Sequence, residues 1–153
     1  MKIRTQATTG RYVLAVISYF VITMAIAYPW HMIWFHDEYV QMKAFTRAEP
    51  IIPLGMLAIL IQGVVMAYFY PLFYRGGRPL IQGIKFGLLI GLMVYSVMGF
   101  ATAAKMDINP IPTFLAYHTV FQALQFIATG AAIGIIFGDL GREPEEIVEA
   151  IAT

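Results

Sequence analysis

Four stretches of the chain are apolar almost throughout, and what separates them is short and polar. They run from about Tyr12 to Phe35, Ile52 to Tyr74, Leu80 to Ala104 and Thr113 to Gly138. A helix needs about 20 apolar residues to cross a hydrocarbon core, so each stretch is long enough to span. No segment alternates at period two, which excludes a membrane barrel. The pattern predicts an all-α protein, a four-helix transmembrane bundle forming one integral domain over residues 1–153. The connections are a polar loop (His36 to Pro50), a tight basic turn (Arg75-Gly76-Gly77-Arg78-Pro79) and a short loop (Lys105 to Pro112). Residues 139–153 form a tail.

Composition strengthens this picture and closes several function classes. Hydrophobic residues make up 59% and charged residues 12%, against about 25% charged in soluble domains. A soluble domain this small cannot bury so much apolar surface, so lipid must cover the remainder. The absence of cysteine rules out disulfides, thiolate zinc sites, iron–sulfur clusters and a cysteine nucleophile. A net charge of +1 gives no basic face for a nucleic-acid partner.

Charge also sets the expected orientation. Lys2, Arg4, Arg11, Arg75, Arg78, Lys85 and Arg142 fall on one side, and Lys43, Arg47 and Lys105 on the other. Seven against three predicts cytoplasmic termini and a cytoplasmic basic turn. Lys85, one turn inside the third span, can reach back to that interface. The basic start and Ala25-Ile26-Ala27 are compatible with a cleaved signal, but apolar residues continue through Trp34, so a retained span is expected. Trp30 and Trp34, spaced i and i+4, are expected to stack at the outer interface. Tyr68, Tyr70, Phe73 and Tyr74 are expected at the inner one.

Small residues suggest how the spans pack. Gly83, Gly87 and Gly91 recur every four residues, with Gly99 further along the same face; Gly130, Gly134 and Gly138 repeat the spacing on the last span. Such grooves let helix backbones approach closely, and a seam within the chain is the expected use. Ile52-Pro53 and Ile111-Pro112, with Gln62 and Gln122 nine and ten residues beyond the prolines, hint at a duplicated hairpin. Proline at a helix start explains the first part equally well. Arg142 to Ile151 reads as a short amphipathic helix, with Pro144 and glutamates suited to its first turn.

No Asp or Glu lies inside a span core, which weakens a proton pump or a carboxylate-bridged metal site. His118, Gln122, Gln125 and Thr129 share one helical face, so the stripe must point inward. It serves either interhelical hydrogen bonding, with Gln62, Ser18 or Thr23 as partners, or the wall of a small polar cavity. His31, His36 and His118 all map to the outer half, as do Met32, Met56, Met98 and Met106. Imidazole and thioether suit copper or zinc, and paired histidines suit haem, but the spacing matches no helical metal motif. Tyr28-Pro29 either bends the first helix or ends it, and ending it is the simpler expectation. No catalytic pattern is present, neither a Gly-x-Ser-x-Gly elbow, a phosphate loop nor His-Glu-x-x-His, so nothing asks for an enzyme.

The basic turn followed by Gln82-Gly83-Ile84-Lys85-Phe86-Gly87-Leu88-Leu89-Ile90-Gly91, and Asn109-Pro110-Ile111-Pro112 ahead of the last span, resemble uncharacterised four-helix families of small bacterial inner-membrane proteins. That resemblance covers the second half of the chain and implies fold and compartment, with no site residues. Three functions stand open: a non-catalytic subunit or scaffold bound to other membrane subunits or to itself, an outer-face metal or haem protein, and a dimeric small-solute carrier lined by the His118 stripe.

Overall fold

The computed structural model describes residues 7–47 and 49–138. Lys2, Arg4, Arg142 and the expected tail helix lie outside the described residues. Four helical spans, Thr9–Trp34, Ile52–Phe73, Pro79–Lys105 and Ile111–Phe137, are long and apolar enough to cross a membrane. The chain is a multi-pass, all-α membrane protein. Each of the last three spans has proline in its first two positions, where the missing N–H is one that would go unpaired anyway. Between the second and third spans, Gly76 and Gly77 take φ of 98° and 94°, a conformation that favours residues without a Cβ. This turn marks one end of the molecule, the turn end; the opposite end is the loop end.

The structure departs from the simple pattern at three places. The first helix does not stop at Pro29 but continues as a π-helical turn, Trp30–Trp34. There the Phe35 N–H donates to the Trp30 carbonyl at 3.1 Å. The π turn begins directly after Pro29, a residue that has no N–H and crowds the carbonyl four back. A second π-helical turn, Ser96–Ala101, interrupts the third span. In the loop beyond the first span, His36–Gln41 forms a short helix.

The third and fourth spans pack along their glycines in antiparallel register. A Cβ on Gly83 would strike the Gly130 carbonyl oxygen and the Gly134 backbone; one on Gly87 would strike the Phe126 carbonyl oxygen. On Gly91 it would meet the Phe126 ring at 2.9 Å, and on Gly138 the Pro79 ring at 2.9 Å. Gly99 leaves this seam, since its nearest neighbour would be Tyr95 of its own helix at 3.0 Å. The π turn has rotated it away. Gly63, on the second span, admits Tyr19 and the Val16 carbonyl of the first span instead.

The fourth span is half buried and the second only 17% buried, which gives the packing order. The helices lie second, first, fourth, third, with the second and third touching chiefly near the turn end. There Phe86 packs against Tyr70 and Phe73 at 5.4 Å. Two apolar cores result. One, towards the turn end, holds Met66, Tyr70, Tyr74, Phe126, Ile133 and Phe137. The other, at the loop end, holds Trp30, Tyr39, Met42, Ile108, Phe114 and Phe121.

Candidate functional site

A stripe of polar side chains runs along the fourth span, from the loop-end core into the turn-end core. His118, Gln122, Gln125 and Thr129 are all buried. Gln125 Nε2 donates to the Tyr19 hydroxyl at 3.2 Å, and that hydroxyl donates to Gln62 Oε1 at 2.9 Å. One chain of bonds thus joins three spans. Thr129 Oγ1 donates to the Gln125 carbonyl at 2.8 Å, and Gln122 Nε2 approaches His118 Nε2 at 3.5 Å. Tyr19 is the member that the sequence pattern missed, since a tyrosine amid Ile and Phe reads as an apolar filler. The hydroxyls of Thr23 and Tyr70 are buried without a hydrogen-bond partner among the described residues.

The histidines sit in an aromatic cluster at the loop end. His31 packs edge-on against Phe121 at 4.4 Å and lies 5.9 Å from Phe45. His118 stacks on Phe114 and Tyr95, at 5.4 and 5.7 Å. His36 lies against Phe45 at 6.1 Å, with its Nδ1 3.2 Å from Asp37. An aromatic ring thus packs near each imidazole. Among the described residues no group of three His, Cys, Asp or Glu side chains is placed to hold a metal ion. His31 Nδ1 lies 3.0 Å from the Ala27 carbonyl; a carbonyl only accepts, so that nitrogen carries the proton. The methionines divide as well. Met32 and Met56 line a groove beside the second span, while Met98 and Met106 are exposed on the third-span side.

The two tryptophans separate across the π turn. Trp30 is buried against Phe35 at 4.5 Å and donates its indole N–H to the Tyr39 hydroxyl at 3.2 Å, whereas Trp34 is 63% exposed. Burial holds the Tyr39 phenol above its usual pKa, with the Trp30 bond opposing. Near the turn end the aromatic residues likewise split. Tyr68 and Phe73 face outward, while Tyr70 and Tyr74 are buried.

Two further features lie on the outside. Two adjoining open grooves, of about 470 and 240 Å³, run between the first and second spans at the loop end; none of the four stripe residues lines either. On the opposite side, Tyr95 and Thr119 form a hydrogen bond of 2.8 Å at an exposed position. Comparison with protein-family models, curated proteins and solved structures finds no match.

Proposed function

We propose that this protein is a non-catalytic subunit of a larger membrane complex, engaged through the outward side of its third and fourth spans. The Tyr95–Thr119 pair carries this reading. Thr119 Oγ1 already gives its hydrogen to the Leu115 carbonyl at 2.7 Å, so Tyr95 is the donor in their bond. Among the described residues no further donor is hydrogen-bonded to the Tyr95 oxygen. Thr119 lies eight residues into its span, roughly 12 Å below the helix start, and the same two spans expose Met93, Val97, Phe100 and Val120. Polar atoms at such depth are the usual adhesive between helices, because hydrocarbon offers them nothing. The inward stripe supports the same view, since Gln125, Tyr19 and Gln62 are bonded to one another and so act in holding the bundle together.

The same reading sets the chain in a bacterial inner membrane with both termini cytoplasmic. It is supported by the seven-to-three division of basic residues and by the resemblance to small inner-membrane families. Extraction in a mild detergent tests the subunit role. The expected product contains a second polypeptide in fixed stoichiometry, released when Tyr95→Phe and Thr119→Val are combined. Recovery of only a monodisperse homo-oligomer or a monomer would sink the proposal.

A further inference from the structure

The two grooves at the loop end share Met32, Phe45, Pro50, Ile51 and Gly55, so they form one continuous furrow. Its mouth is bordered by Thr46 and Arg47, and its floor descends between the first and second spans to Met24 and Ile59. From Ile51 to Ile59 the second span advances eight residues, roughly 12 Å at 1.5 Å per residue. Its deeper groove, of about 240 Å³, averages roughly 20 Å² in section over that depth, and the groove of about 470 Å³ widens the furrow towards the mouth. A slender apolar space of that length suits one extended hydrocarbon chain. Arg47 is exposed, and the ion pairs found among the described residues do not involve it. It stands at the level where charged loop meets apolar span, which is headgroup depth.

We propose that this furrow is a binding site for one anionic phospholipid, with the acyl chain laid between the first two spans and the phosphate against Arg47. The apolar floor takes the chain, and Arg47, the one Lys or Arg that lines either groove, selects the negative headgroup. Gly55 is the residue that keeps the furrow open. A Cβ there would meet nothing within 4 Å, so a larger side chain enters the furrow without collision, at a helical position that disfavours glycine anyway.

The test uses the full chain in mild detergent, offered equal amounts of phosphatidylglycerol and phosphatidylcholine and read by native mass spectrometry. The wild type is expected to retain one lipid per chain with about five-fold preference for phosphatidylglycerol, the effect of ~1 kcal/mol per interfacial arginine. Arg47→Gln keeps the lipid and loses the preference. Gly55→Leu loses the lipid, and Ala58→Phe, which fills the furrow one turn deeper, repeats that result independently. Leu124→Phe, on an exposed face of the fourth span, leaves retention unchanged. The proposal is overturned if either filling variant, folded as judged by its thermal midpoint, retains lipid as the wild type does. It is equally overturned if Arg47→Gln keeps the preference, or if the wild type is a dimer that Gly55→Leu dissociates, which would assign the furrow to a second copy.

Discussion

A phenol buried at mid-membrane depth has one hydrogen to give and lone pairs to offer, and Tyr19 uses both. It gives to Gln62 and receives from Gln125, so its removal orphans two amides at once, while loss of either glutamine orphans only the phenol. Tyr19→Phe should therefore destabilise the protein more than Gln62→Leu or Gln125→Leu. Single bonds of this kind between spans are worth about 0.6 kcal/mol on average and up to ~1.7. Thermal unfolding in detergent, arranged as a double-mutant cycle, checks the order. Lys43 illustrates the opposite case, an exposed residue under backbone strain. Its φ is +60°, and its ammonium donates to Asp107 at 2.6 Å, tying the two loop-end connections together. The hydrogen bond, and then the charge, of Lys43 hold the Asp107 carboxyl below its ordinary pKa. The pair's contribution is thus fully present above the ordinary carboxylate range and fades as pH falls through the lowered value. Unfolding midpoints of wild type and Asp107→Asn should converge on acidification; a constant gap would refute the pairing. Lys43→Gly and Lys43→Ala both break the pair, but only glycine relieves the left-handed backbone. Lys43→Gly should be the more stable of the two by about 1–2 kcal/mol.

At the scale of the elements, the glycine seam is where a single methyl group does most. Gly83→Ala or Gly130→Ala would drive a Cβ into the facing backbone, and overpacking of that sort costs about 1–3 kcal/mol. Gly55→Ala, facing open space, should instead be neutral or stabilising by up to ~1 kcal/mol. Thermal denaturation of the three variants side by side separates the cases, and equal midpoints would contradict the seam. The existence of the spans was legible in the sequence because continuous apolar length is dictated by bilayer thickness. The π-helical turns were not. They depend on how Pro29 and the Ser96–Ala101 segment are accommodated by neighbours, and no periodicity encodes that. For the same reason Gly99 read as a seam residue, and Trp30 and Trp34 as a stacked pair. The inward stripe from His118 to Thr129 was legible from its spacing, but its principal partner, Tyr19, was hidden by its apolar surroundings. The histidines show a further limit. Sequence placed all three in the outer half of the bundle, yet which aromatic ring stands beside each is decided by tertiary packing.

At the scale of the whole molecule, the proposed membrane orientation rests on charge and has a direct check. The chain has no cysteine, so a single introduced thiol reports its own side. An impermeant maleimide added to intact cells should label Thr46→Cys, and should reach Arg75→Cys only after permeabilisation; the reverse pattern would invert the topology. The packing order carries a different consequence. Because the first and second spans lie together, the third and fourth lie together, and the first and fourth join the pairs, the chain is two consecutive hairpins sewn along one seam. The only covalent link between them is the turn through Gly76 and Gly77, whose backbone conformation demands little of the rest. A polypeptide built this way is divisible. Fragments 1–76 and 77–153, expressed together, should insert separately and find each other in the bilayer, with Tyr19 and Gln125 as their recognition handshake.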